Sequence, residues 1–251
     1  MKMEAVLGIA RKAGEKILEI YNNSDLAMVV AYKADDSPLT LADKASNDII
    51  IKGLRELNTE YPILSEESKQ ASYQDRKNWV TFWLVDPLDG TKEFINRNGE
   101  FTVNIALIEN GKPVFGVVYV PVKDILYVGS RDGAFKQMGL GELEPIKVNN
   151  STGKRIAVRS KSHASIEEED TLKKYDVTDS ISVGSSLKFC MVAEGKADVY
   201  YRHGPTMEWD TGAGQAIVVA AGGQVYQDTG NNPFTYNKEN LLNGSFLCLG
   251  F

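Results

Sequence analysis

The segment Trp83-Leu-Val-Asp86-Pro-Leu-Asp89-Gly-Thr91-Lys-Glu-Phe94 ends a hydrophobic run in two aspartates either side of a proline. Pro87 fixes its own φ and disfavours helix at Asp86, so the chain is expected to turn there. Asp86 and Asp89 can then converge on one point with the Leu88 carbonyl between them, an all-oxygen cage for a hard cation. Mg2+ takes oxygen ligands in octahedral array and keeps water and substrate phosphate in its shell, so a few carboxylates and one carbonyl suffice. Gly90 and Thr91 offer backbone N–H groups to a phosphate oxygen, and the Thr91 hydroxyl can contact an attacking water. The chemistry implied is metal-assisted hydrolysis of a phosphate ester. The same residues are also the usual formers of a plain surface turn.

Two further acidic segments favour the site over the turn. Pro62-Ile-Leu-Ser65-Glu66-Glu67 ends a short apolar run in paired carboxylates, and Glu208-Trp209-Asp210 precedes a Gly- and Ala-rich run. Taken alone, the glutamates read as a solvated strand end and Asp210 as a helix N-cap. No other nucleophile has equal support. Cys190 lies in an apolar helical pattern and reads as core, and His163 and His203 are not spaced as a metal pair. With Cys190 and Cys248 the only cysteines and no CxxC, neither a disulfide scaffold nor a zinc site is indicated.

The elements that must position these groups follow from periodicity. Val6, Leu7, Ala10, Ala13, Ile17 and Ile20 predict a helix from about Met3 to Tyr21, and Leu41 to Leu57 predicts a second. Asp36, Ser37 and Thr40 are candidate caps for the second helix, which puts Asp43 in or near its first turn. Strands are expected at Trp79 to Val85, Phe101 to Ile108, Pro113 to Val120, Ile125 to Val128 and near Ala134 to Lys136, with Asn110-Gly111 as a hairpin turn. This is an α+β half, an antiparallel sheet covered by two helices. After about Asn149 strand and helix alternate: Arg155 to Val158, Ile166 to Tyr175, Ser180 to Val183, Leu187 to Glu194, Asp198 to Tyr201, Asp210 to Ala221, Gln224 to Tyr226 and Phe246 to Leu249. That alternation predicts an α/β half, with subdomains at 1–149 and 150–251.

The chain of 251 residues is 43% hydrophobic and 25% charged, ordinary values for a globular protein. A formal net charge of -6 with scattered Lys and Arg argues against a nucleic-acid polymer as partner. No apolar stretch approaches membrane-spanning length, so no transmembrane segment is expected. This favours a cytoplasmic location, and peripheral attachment to a membrane is compatible with the same sequence.

Ser65-Glu66-Glu67, Asp86-Pro-Leu-Asp-Gly-Thr91 and Trp209-Asp210-Thr-Gly-Ala-Gly214, in this order, resemble the signature of the inositol monophosphatase superfamily of lithium-sensitive, Mg2+-dependent phosphatases. The resemblance covers nearly the whole chain and implies that family's layered α/β/α/β/α sandwich. Arg97-Asn-Gly-Glu-Phe-Thr-Val-Asn104, Gly184-Ser-Ser-Leu-Lys188-Phe-Cys190 and Arg202-His-Gly-Pro-Thr206 are most similar to the family's bisphosphate nucleotidase branch. The implied substrate is the small phosphorylated nucleotide adenosine 3',5'-bisphosphate.

Carried over by residue, the resemblance implies one Mg2+ held by Glu66, Asp86 and the Leu88 carbonyl, and a second held by Asp86, Asp89 and Asp210. A third, looser ion is implied near Glu66. Asp43 matches the residue that works with Thr91 to activate water, although a carboxylate in a first helical turn also simply complements the helix dipole. Substrate contacts are expected from Leu88, Asp89, Gly90, Thr91, Asp210 and a second anion site. Lys188, following Gly184-Ser185-Ser186 at a helix start, suits a phosphate. Arg202 suits one too, where inositol-specific relatives have an acidic residue, and His163 resembles the adenine-contacting position. As unspecialised residues, Lys188 and Arg202 would be surface charges and His163 a loop residue.

An inositol or sugar phosphatase would share the metal site and differ in the cleft, where Lys188 and Arg202 argue against it. A non-catalytic nucleotide sensor would have no need of Asp43, Glu66, Asp86, Asp89, Thr91 and Asp210 together. A Ca2+-binding structural module fails for want of an EF-hand loop. The oligomeric state stays open.

Overall fold

A computed structural model describes residues 3–27, 29–32, 38–57, 60–150, 152–160, 166–230 and 232–251. The helix Met3–Tyr21 forms as its periodicity predicts, burying Val6, Ala10, Ala13, Ile17 and Ile20 on one stripe. Its end is fixed by Arg97, whose Nη1 donates to the Tyr21 carbonyl at 2.7 Å while the guanidinium stacks 4.4 Å above the Tyr21 ring. A cation there satisfies an orphan carbonyl and complements the negative helix end. The helix Leu41–Glu56 starts at Thr40, which caps it; Asp36 and Ser37 lie outside the described residues.

These two helices cover one face of a seven-stranded sheet in the order Ile63–Ser65, Thr81–Asp89, Thr102–Glu109, Lys112–Val120, Ile125–Ser130, Gly133–Met138 and Glu144–Ile146. All its pairings are antiparallel except the first. Along Thr81–Asp89, Trp83, Val85 and Leu88 join the cluster under those helices, whereas Phe82 and Leu84 join the cluster on the other face. A sheet covered on both sides reads as a continuous apolar run, which is why this strand shows no alternation.

The opposite face receives the helices Leu187–Ala193 and Glu208–Ala220, and beyond them lies a six-stranded sheet. Its order is Val177–Ser182, Arg155–Arg159, Val199–Arg202, Phe246–Leu249, Gln224–Gln227 and Asn232–Pro233. The helix Ile166–Lys173 closes the outer side, its Leu172 packing with Ala157, Val199, Tyr201 and Leu247. The result is the five-layer α/β/α/β/α order that the resemblance implies. No helix among the described residues is long and apolar enough to cross a membrane.

The helix Glu208–Ala220 is buried on nearly every side because it lies between two sheets. It sits low on the seven-stranded sheet through bare backbone. A Cβ at Gly116 would run into the Ala213 carbonyl, and one at Gly129 would come within 2.5 Å of the Ile217 Cα. Overpacking at either position would lift the helix that carries Asp210, at a cost of about 1–3 kcal/mol.

The sequence reading differs at one place that matters to the site. The strand expected to stop at Val85 continues to Asp89, and the chain bulges where a turn was expected: Asp86 pairs with Asn104 and Asp89 with Thr102. Three steps on one strand thus face two on the other, the extra residue of a β-bulge. Pro87, which has no N–H for a ladder, is tolerated there. Its carbonyl accepts from the Ser46 hydroxyl at 2.7 Å.

Candidate active site

The bulge aims Asp86 and Asp89 at the gap between the two sheets. Asp86 is 1% exposed, and its Oδ1 accepts the Leu88 N–H at 3.1 Å. After it the chain passes through Gly90, whose φ of 91° is left-handed. A Cβ there would meet Ser185 Cβ at 3.1 Å, so conformation and space both call for glycine. The short helix Thr91–Ile95 follows, not foreseen from the sequence.

Asp43 uses its two oxygens on different partners. Oδ2 caps its helix, accepting from the Thr40 N–H at 2.7 Å and the Thr40 hydroxyl at 2.6 Å. Oδ1 accepts from the Thr91 hydroxyl at 3.2 Å. Asp210 is built in a similar way. The helix begins at Glu208 rather than at Asp210, so Asp210 is not its N-cap; it lies in the first turn and reaches back with Oδ2 to the Met207 N–H at 2.9 Å. Glu66 follows the strand Ile63–Ser65, and its N–H donates to the Val85 carbonyl at 3.2 Å.

These carboxylates feel one another. Burial first, then the charges of Glu66, Asp89, Asp210 and Asp43, push the Asp86 carboxyl well above the ordinary range. Asp210 is also raised well above it, by burial and then by Asp89, against the Met207 N–H and Arg202, which pull it down. Burial raises Asp43 as well, with the Thr40 hydrogen bonds opposing. Holding several buried carboxylates ionised costs several kcal/mol apiece unless cationic charge is supplied. An all-oxygen anionic donor set of this kind suits a hard divalent cation such as Mg2+. Among the described residues no three or more His, Cys, Asp and Glu side chains close into a ready coordination group.

Glu66, Asp89, Gly90, Thr91 and Asp210 line a cavity of about 450 Å³, and Ser185, Lys188 and Arg202 line it as well. Lys188 proves not to be a surface charge: it is 6% exposed, and its Nζ donates to the Ser185 carbonyl at 2.7 Å and the Val183 carbonyl at 3.4 Å. Burial pushes its pKa down to about 8, with Asp89 opposing. Ser185, at a φ of 42°, donates its hydroxyl to the Glu100 carbonyl. Arg202, half-buried at the end of Val199–Arg202, reaches the Gly204 carbonyl at 3.3 Å. The Leu88 side chain is buried in the core, so only its backbone is available to the site. His163 lies outside the described residues, although Ser160 just before that segment lines the cavity.

Several residues that hold this arrangement escaped the sequence reading. Ser46 fixes Pro87, Asn47 accepts from the Ser65 hydroxyl at 2.7 Å next to Glu66, and Asn104 and Ser186 meet beside Asp89. A signal existed for Asn104: Thr102 and Asn104 are polar at alternate positions of an otherwise apolar strand, so both point to one face.

With this geometry, known proteins can be compared. Residues 2–247 match the Inositol monophosphatase family, and the chain belongs to it. It is 47% identical over 244 residues to the 3'(2'),5'-bisphosphate nucleotidase CysQ of Salmonella typhimurium, covering 97% of this chain and 98% of that protein. The crystal structure of CysQ from Bacteroides thetaiotaomicron, described as a bacterial member of the inositol monophosphatase family, superposes with a TM-score of 0.87 at 47% identity. That alignment covers 98% of this chain and 96% of the other. The inositol monophosphatase of Anabaena aligns with a TM-score of 0.74 at 25% identity, covering 99% and 89% respectively.

Proposed function

We propose that the chain is a Mg2+-dependent 3'(2'),5'-bisphosphate nucleotidase that hydrolyses adenosine 3',5'-bisphosphate to AMP and phosphate. The observation that carries this reading is one cavity lined both by the carboxylates Glu66, Asp89 and Asp210 and by the cations Lys188 and Arg202. A substrate with two phosphates needs a place for each, and a mononucleotide or inositol monophosphate needs one. Relatives at 44–47% identity are named for this activity.

In this reading Glu66, Asp86 and the Leu88 carbonyl hold one ion, Asp86, Asp89 and Asp210 a second, and Glu66 borders a looser third. Bound Mg2+ would offset charge on the phosphoryl oxygens and acidify water at the site. The protein's own groups do the rest. Gly90 and Thr91 direct N–H groups at the 3'-phosphate. The Thr91 hydroxyl, donating to Asp43 Oδ1, turns its lone pairs toward the attacking water and accepts that water's proton as its own passes to Asp43. The raised pKa of Asp43 suits it to take a proton. The bond from water oxygen to phosphorus forms as the bond to the ribose 3'-oxygen breaks, and a second water, oriented by Asp210 on the leaving side, gives that oxygen its proton. Lys188 and Arg202 hold the 5'-phosphate, and His163 the base. Residues 1–149 then form the subdomain with most cation ligands, and 150–251 the one with Asp210 and the nucleotide contacts.

Phosphate release by purified protein with Mg2+ tests this, comparing adenosine 3',5'-bisphosphate with inositol 1-phosphate and fructose 1,6-bisphosphate. A strong preference for the nucleotide is expected. Preference for inositol 1-phosphate would overturn the role of Lys188 and Arg202, and no metal-dependent release from any substrate would point to a sensor.

A further inference from the structure

Ser186 stands where the two walls meet and is 2% exposed. Its Oγ lies 2.7 Å from Asp89 Oδ2, 2.9 Å from the Asp210 carbonyl and 2.9 Å from Asn104 Nδ2. The Asn104 amide nitrogen only donates, so Ser186 accepts from it and has a single proton for two acceptors. The proton is shared in a three-centre bond, with Asp89 Oδ2, a carboxylate and the closer acceptor, taking the larger part and the Asp210 carbonyl the smaller. Asn104 is itself held: the Thr102 hydroxyl donates to its Oδ1 at 3.0 Å, and its Nδ2 also approaches Asp89 Oδ2 at 3.4 Å. Thr102 and Asn104 are both buried, so this network is screened from water.

The contacts join four elements. Asp89 ends the strand Thr81–Asp89, Asn104 belongs to Thr102–Glu109, Ser186 precedes Leu187–Ala193, and Asp210 lies in the first turn of Glu208–Ala220. Two come from the seven-stranded sheet and two from the helices packed on it.

We infer that Ser186 is a positioning residue for the cation site, an inference that rests on the reading of Asp89 and Asp210 as cation ligands. Its hydroxyl engages Asp89 Oδ2, which leaves Oδ1 for a cation, and it pins the helix turn that carries Asp210 against the strand that carries Asp89. Although Ser186 borders the cavity, its one proton is claimed twice by the protein, so it has none for a substrate. The role is to hold two carboxylates from distant parts of the chain at a fixed separation.

The Ser186→Ala variant tests this through Mg2+ binding without substrate, read as the Mg2+-dependent rise in melting temperature and by titration calorimetry. About tenfold weaker Mg2+ binding is expected from loss of a hydrogen bond to a charged group. The KM for adenosine 3',5'-bisphosphate at saturating Mg2+ should stay within about twofold, because the hydroxyl does not touch substrate. Unchanged Mg2+ affinity overturns the proposal. A raised KM with unchanged Mg2+ affinity overturns it too, making the hydroxyl a substrate contact. Should Ser186→Ala fail to fold, Asn104→Ala removes the donor that orients Ser186 and must weaken Mg2+ binding in the same direction; unchanged affinity there is equally fatal. Asp89→Asn reports on the underlying reading. If its Mg2+-induced stabilisation persists, the cation site is misread; if it is lost while Ser186→Ala binds like wild type, only the role of Ser186 fails.

Discussion

The acidic and basic walls of the cavity are built to different standards. On the acidic side, at the cavity and just beneath it, the side chains are tied to backbone: Asp43 to Thr40, Asp86 to Leu88 and Asp210 to Met207. Asp86 and Asp89 end a strand whose neighbours are apolar on both faces. On the basic wall Lys188 is held by two carbonyls of a loop and Arg202 by one, at 3.3 Å. The sheet behind Arg202 has shorter strands and, among the described residues, an outer face covered by the helix Ile166–Lys173. Bond breaking needs fixed geometry, because misplacing a group by about an ångström can cost around a hundredfold in rate. Recognition tolerates more give. The difference matches the proposed division, with chemistry at the acidic groups and substrate choice at the basic ones.

Substitutions can break that division. Asp89→Asn should give the largest effect, a loss of roughly a thousandfold in kcat with Mg2+, since several kcal/mol of charge stabilisation depend on the site. Phosphate release at saturating substrate measures it, and activity within tenfold of wild type would detach Asp89 from the chemistry. Thr91→Val should lower kcat by about a hundredfold, the usual size of a lost proton-transfer partner. Asp43→Asn should lower it similarly while costing less than about 1 kcal/mol of stability, because an amide oxygen can still cap the helix; denaturant melts of that variant separate the two oxygens' duties.

On the basic wall Lys188→Met should raise KM for the bisphosphate about tenfold and leave kcat nearly unchanged. Its pH dependence sharpens the contrast. Burial holds the wild-type ammonium at a pKa of about 8, so it is charged below that pH and neutral above. Affinity for an anion should therefore fall as pH rises through about 8, and this limb of kcat/KM should be absent in the variant. The smallest effect belongs far from either wall. Arg131 pairs with Glu109 at 2.8 Å but is 78% exposed, so Arg131→Ala should change unfolding free energy by less than about 0.5 kcal/mol.

What could be read in the sequence divides along similar lines. The long helices and strands were legible because each has a sustained period, from Met3–Tyr21 to Lys112–Val120. The hairpin at Asn110-Gly111 was legible because both residues take positive φ, 51° and 72°. Val30–Tyr32, Thr91–Ile95 and Thr206–Met207 carry no such pattern and form by tertiary pairing or packing. The carboxylates stood out by type and spacing. The burial of Lys188 did not, because an isolated lysine after Gly184-Ser185-Ser186 looks like any surface cation, and only the fold shows which carbonyls surround it. Ser46 and Ser186 were likewise invisible, since a serine announces no role until its partners are known.

The bare backbone at Gly116 and Gly129 has an effect well away from where it lies. These glycines set how deeply the helix Glu208–Ala220 seats on the sheet, and Asp210 travels with that helix. The gap between Asp210 and Asp89 is thus a machining tolerance inherited from the interior: one methyl in the middle of the molecule would act as a shim, widening the active site without altering any residue that lines it.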